Sequence, residues 1–286
     1  MRTRTSSTAT ATAKPKPVAR TAKERAMPEL IHEIDVPLTA ASTVFSLIGD
    51  VEEAPQFLPP HVYARYIKRD GKRDLVERWV ANDGGAIQKW TVWQERSGPP
   101  YRIVFEHLHT SPPVRQMGGE WTFTQRGDST AVWVMHNFEV VDDDPAAAAP
   151  IEDDFEERVP RQLKYLVELA RNLDDIRART VTCERSVVIP ADVERVYERL
   201  LAGEAGDETD WMQVGLPFER VVYKRRPDRQ LPGMNALTGE YELTADGSGT
   251  RVTARRTATF DQAIVDEVGR KALDDALLTQ LRAIGA

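Results

Sequence analysis

One pattern of residues is written twice in this chain, and it constrains the fold more than any other feature. LIHEIDVPLTAASTVFSLIGD, from Leu30, reads as a short alternating strand ending at Pro37, followed by a helical run carrying Val44, Phe45, Leu47 and Ile48. TVTCERSVVIPADVERVYERLL, from Thr180, repeats it: a strand ending at Pro190, then a helix with Val193, Val196, Tyr197 and Leu200 along one stripe. A chain that restarts in this way builds the same supersecondary unit twice.

After the first helix come HVYARYIKRDGKRDLVERWVA, AIQKWTVWQER, PPYRIVFEHLH, MGGEWTFTQ and TAVWVMHNFEV. These are short runs with alternating apolar positions, separated by turn signals such as Asp70-Gly71 and Asp83-Gly84-Gly85, the signature of an antiparallel meander. A helix from about 149 to 177 closes it, with Phe155, Val159, Leu163, Leu166, Val167 and Leu173 at helical spacing and Pro160 as a kink. The second copy keeps the order with FERVVYK, TGEYELTADGSGTRVTARRTATF and a final helix over 261–284. Pro37 and Pro190 stand 153 residues apart, whereas Arg102 and Arg220 stand only 118 apart, so the second copy lacks 35 residues. At roughly 8 to 12 residues per strand and turn, that deletes about three strands. The expected class is α+β, with a curved antiparallel sheet wrapped on a long C-terminal helix, a cavity between them, and a truncated second copy. Its exposed sheet edges need a cover, from the first domain or from a second subunit.

Composition narrows the function. The net charge is −7, yet residues 1–26 hold seven Arg or Lys and one Glu, so the remainder carries −13. An acidic body of this kind does not neutralise phosphates, which excludes nucleic acid as a partner. The Ser/Thr/Ala-rich tail is expected to be disordered, and Met27 is an alternative start. No apolar stretch approaches the length of a membrane span. The lone Cys183 forms no intrachain disulfide and reads as a small half-buried strand residue, which fits a reducing, cytoplasmic setting. No spacing of His, Cys or carboxylates matches a zinc or calcium site, and no cofactor is expected.

The strings PPVRQMGGEW (112–121) and HNFEVVDDDP (136–145), with the doubled strand-Pro-helix opening, resemble the two-domain aromatase/cyclases of bacterial type II polyketide synthases, members of the START-like helix-grip superfamily. The resemblance spans about residues 28–286 and is stronger in the first half. It implies a tail over 1–27, a complete helix-grip domain over 28–178 and a shortened one over 179–286. It further implies that a poly-β-ketone tethered to an acyl carrier protein folds back inside the cavity, closes one ring by aldol addition and loses water. Cavity shape would then select the ring register. A homodimer is a further expectation.

In that family the strand around the tryptophan at Trp90 carries a Ser and then an Arg facing the cavity; here Val92 and Gln94 occupy those positions. Alternation places Trp90, Val92, Gln94 and Arg96 on one face. Gln94 is therefore a neutral donor to a ketone and Arg96 a displaced cation, or else a solvated strand end. His61, after Pro59-Pro60, stands in the pocket or on a surface loop. His136, mid-strand beside Val134 and Phe138, is a proton carrier or a core histidine. His107 and His109 bracket a possible mouth, and His32 reads as a surface strand residue. Gln94, Arg96, His61 and His136 form the candidate catalytic set. Trp90, Val92, Met117, Trp121, Phe138 and Trp79 form the candidate substrate wall, with Gly118 and Gly119 leaving room for a ligand or marking a bulge. The basic runs KRDGKRD (68–74) and KRRPDRQ (224–230) offer carrier-protein docking patches or solvated tips. The loss of the Ser and Arg keeps an alternative open, a non-catalytic helix-grip protein that binds a hydrophobic polyketide intermediate, and a scaffolding role is a third.

Overall fold

The computed structural model describes residues 29–71, 73–82, 85–202, 210–247, 249–262 and 266–285. The expectation of a disordered tail lies outside the described residues. The first unit runs β1 (Glu29–Val36), α1 (Ala41–Gly49), α2 (Ala54–Phe57), β2 (His61–Lys68), β3 (Arg73–Ala81), β4 (Ile87–Ser97), β5 (Tyr101–His107), β6 (Val114–Arg126), β7 (Ser129–Val140), α3 (Pro145–Arg171) and α4 (Leu173–Ala178). Its seven strands form one antiparallel sheet in the order β1-β7-β6-β5-β4-β3-β2. The second unit runs β8 (Thr180–Ile189), α5 (Val193–Leu201), β9 (Trp211–Leu216), β10 (Arg220–Arg225), β11 (Met234–Asp246), β12 (Gly249–Phe260) and α6 (Asp266–Gly285), with sheet order β8-β12-β11-β10-β9.

Each sheet is apolar on its concave face because alternate residues point to one side. In the first unit Val36, Ile103, Phe123, Val132, Val134 and Phe138 meet Phe155, Val159, Leu163 and Leu166 of α3. In the second, Val181, Val221, Leu237, Tyr241, Val252 and Ala254 meet Leu273, Leu277, Leu281 and Ile284 of α6. The helix α3 starts earlier than its apolar spacing suggests, with Asp144 accepting the Ala146 amide at 3.0 Å and Pro145 in the first turn. It runs through Pro150 and Pro160 to Arg171.

Two strands separate the copies, not three. A six-residue strand, β9, survives in the second copy where the reading of the sequence left a gap. Only six residues long and broken by Gly215, it shows too little alternation to be read as a strand. Matched by sheet position, β9 corresponds to β4, so the missing pieces are β2 and β3. The first unit's own β2 and β3 hairpin covers the second sheet from outside: Val62 and Trp79 pack against Met212, Val214, Leu216 and Val222, on the outer face of β9 and β10. Among the described residues no helix is long and apolar enough to cross a membrane, and no group of three or more His, Cys, Asp or Glu side chains could hold a metal ion.

Candidate active site

The concave face of the first sheet divides in two. Toward β1 and α1 its side chains are sealed: Ile103, Phe123, Val132, Val134 and Phe138 are all 3% exposed or less. Across β3 to β7, Arg78, Trp90, Phe105, His107 and His136 also belong to the inward set by register, yet each is only half-buried. These inward-pointing side chains keep accessible surface where the rest of the face has none, which makes this part of the concave face the candidate pocket.

Arg78 is the cation of this pocket, and the motif reading passed over it. It lies on β3 directly opposite Trp90 of β4, so its guanidinium enters the site from the neighbouring strand. Its Nη2 donates to Gln94 Oε1 at 3.1 Å, and among the described residues no carboxylate pairs with it. Burial lowers its pKa to about 10, which leaves it charged at neutral pH. A guanidinium so placed, without a counter-ion, is a ready donor for an oxyanion. Gln94 is 2% exposed, and its Nε2 donates to the Gly49 carbonyl at 3.1 Å, one of the carbonyls left open at the end of α1. Its amide therefore ties Arg78 to α1.

Three histidines share the same face. His61 lies inside, because an irregularity between His61 and Tyr63 pairs it with Val80 and turns it toward the concave side. Burial first, and the Arg78 and Lys224 charges next, lower its pKa to about 3. His107 sits edge-on to Trp90 at 5.6 Å, its pKa lowered to about 4 by burial and then by Arg78. His136 lies between Phe105 at 5.6 Å and Phe155 at 4.7 Å, its pKa lowered to about 3 by burial, then by Arg158, His32 and His107. All three are neutral near pH 7. The Nδ1 atoms of His61 and His136 are buried without a hydrogen-bond partner, and such atoms call for one.

The candidate residues therefore separate. His61 and His136 join Arg78 and His107, while Gln94 acts through Arg78. Arg96 is committed elsewhere: Nη1 bonds Asp50 Oδ1 at 2.9 Å and Nη2 bonds Asp74 Oδ2 at 3.1 Å, so it is neither a solvated end nor a free cation. Trp90, Val92, Met117 and Trp121 face the concave side, although Val92 is 6% exposed. Trp79 does not. It alternates with Arg78, points outward against Tyr63 and packs on the second unit. Phe138 is fully buried against Phe155 and has no surface to offer a ligand. The room made by Gly119 belongs to the protein: a Cβ there would lie 2.6 Å from the Phe105 ring, so the glycine seats Phe105 beside His136. His109 is exposed, and His32 is half-buried on the inward face, 3.5 Å from Glu156, rather than on the surface. Lys224 is buried, which removes it from any surface patch.

Residues 38–166 match the family described as polyketide cyclase/dehydrase and lipid transport. The bifunctional cyclase/dehydratase of the actinorhodin polyketide synthase from Streptomyces coelicolor is 28% identical over 287 residues, covering 85% of this chain and 88% of that protein. The granaticin counterpart from Streptomyces violaceoruber is 34% identical over 146 residues, 49% of this chain and 44% of that protein, so this match spans less than half of the relative. Among solved structures the di-domain aromatase/cyclases StfQ and BexL share the fold, with TM-scores of 0.68 and 0.65 at 22% and 21% identity. They cover 90% and 91% of this chain, and 97% and 93% of their own. The first unit therefore carries the polyketide cyclase/dehydrase family match, and the chain is similar over most of its length to two-domain cyclases of polyketide synthases. In this chain Val92 and Gln94 stand where the family resemblance implies Ser and Arg, and the guanidinium on the concave face is that of Arg78.

Proposed function

We propose that the first unit directs regioselective aldol cyclisation and dehydration of a poly-β-ketone held on an acyl carrier protein, with Arg78 and the neutral histidines as its polar machinery. The observation that carries this reading is the Arg78 guanidinium, which faces the pocket without a carboxylate among buried imidazoles whose Nδ1 atoms are unpartnered. A neutral imidazole, His61 or His136, removes a proton from a methylene between two carbonyls. The carbanion attacks a ketone carbon of the same chain, a C–C bond forms, and the ketone oxygen becomes an alkoxide stabilised by Arg78. The imidazolium returns its proton to that oxygen. A second deprotonation at the adjacent carbon expels the hydroxyl with a proton as water, so the net change is loss of one water. Trp90, His107 and Phe105, each half-buried, give the pocket aromatic walls suited to a flattening product.

The hairpin carrying Lys68, Arg69 and Arg73 lies beside a cleft of about 380 Å³ bordered by Phe45, Arg69 and Asp74, and offers an acidic carrier protein a basic face. The test is a minimal polyketide synthase reconstituted with the protein, with Arg78→Met, and without it, followed by mass spectrometry of the products. A single-register aromatic product that Arg78→Met reduces by roughly 100-fold or more is expected. Products identical to spontaneous cyclisation would leave the binding role in its place.

A further inference from the structure

The short helix α2 is tied to the second unit by a set of polar bonds. Lys224, 3% exposed on the outward side of β10, donates from Nζ to the carbonyls of Pro55 at 2.7 Å, Leu58 at 2.8 Å and His61 at 2.9 Å. All three ammonium hydrogens are thereby used on one seven-residue stretch of the first unit. Gln56 is gripped as well: its Oε1 accepts from Thr238 Oγ1 at 2.7 Å, and its Nε2 donates to Thr259 Oγ1 at 2.6 Å. A four-residue helix has no cooperative stability of its own, so its place is set by these bonds and by Tyr165, whose hydroxyl donates to the Phe57 carbonyl at 2.7 Å.

The stretch ends at the site. The third carbonyl that Lys224 holds is that of His61, whose imidazole turns inward to the face occupied by Arg78. No carboxylate is among the bonded partners of Lys224; it reads only backbone, and so fixes the three carbonyls relative to one another. Ala81 adds a bond from its amide to the Pro60 carbonyl at 2.8 Å, leaving the segment little freedom. We infer that Lys224 is a positioning residue for the first unit's pocket, setting His61 against Arg78, and that supplying this clasp is what the shortened copy contributes to the reaction. The inference rests on reading the pocket as the reaction site.

The test uses the full chain with Lys224→Met and, separately, Gln56→Ala, which loosens the clasp without touching the buried charge. Amide hydrogen exchange over residues 55–62 and the His61 ring resonances are read beside turnover and product distribution. For Lys224→Met the amides of Leu58 and His61 are expected to exchange roughly tenfold faster while those of β6 and β7 are unchanged. The His61 ring signals shift, and kcat falls roughly tenfold with KM little altered and a broader product spectrum. Gln56→Ala moves each quantity the same way by a smaller factor, and decides the matter if Lys224→Met does not fold. Unchanged exchange and an unchanged His61 signal in a folded variant would overturn the inference, as would faster exchange with normal turnover and ring signals. If the wild-type protein cyclises nothing, the reading of the pocket fails by itself, while exchange and ring signals still decide the clasp.

Discussion

Acidification from pH 7 to pH 5 is expected to weaken this protein through three side chains. His61, His107 and His136 are held neutral, with pKa values near 3, 4 and 3 against 6.5 in an unfolded chain. A group whose folded pKa is lowered takes up its proton in the unfolded state first, so stability falls as pH drops through 6.5 and keeps falling until the folded value is reached. At pH 5 the unfolded imidazole is almost fully charged and the folded one almost fully neutral. The difference from pH 7 is about 1.9 kcal/mol for each histidine, or about 6 kcal/mol for three. Water admitted to the pocket lowers that figure. Against a total stability of roughly 5–15 kcal/mol, the loss decides whether the fold survives. The window lies above the carboxylates, so their protonation contributes little. Urea unfolding followed by tryptophan fluorescence at half-unit steps of pH measures the slope, expected near three protons at pH 5. His107→Gln, His136→Gln and His61→Gln should each remove about one proton from it. A difference below about 1 kcal/mol between pH 7 and pH 5, or ring pKa values near 6.5 by NMR, would refute the reasoning.

Gln94→Leu removes the amide that ties Arg78 to the Gly49 carbonyl; turnover is expected to drop about tenfold with secondary structure intact by circular dichroism, and normal turnover would show that Arg78 needs no such tie. Gly119→Ala would place a Cβ 2.1 Å from the Met135 carbonyl and 2.6 Å from the Phe105 ring. Because a backbone atom is in the way, it should destabilise by about 3 kcal/mol or more, read as a lowered Tm.

The repeat was legible because Pro37 and Pro190 punctuate two copies of one alternating pattern, and the pattern carries through to both sheets. The count of lost strands was not, since β9 holds too few residues to declare itself. At the site, alternation placed Trp90, Gln94 and His136 on the inward face correctly. It could not have chosen Arg78, because ERWV on β3 offers Glu77, Arg78 and Trp79 in succession, and only the sheet register shows which of them faces inward. Trp79 was assigned to the pocket for its chemistry, whereas its parity sends it to the other face. Lys224 sat in a run of basic residues that looked solvated. Its burial depends on carbonyls more than 160 residues away in sequence, which no local pattern encodes.

The hairpin of β2 and β3 has consequences for building chimaeras. It belongs to the first copy by sequence, yet it packs on the outer face of the second copy's sheet. Cutting the chain near Arg179 and grafting the downstream half of a relative would exchange one side of a packed seam and leave the other behind. Val62 and Trp79 would meet foreign side chains at the positions of Met212, Val214 and Val222, and the new β10 would have to offer a lysine at the right height. The unit of exchange that respects these contacts is the second copy together with residues 54–81, so a gene fusion between relatives needs three crossovers rather than one.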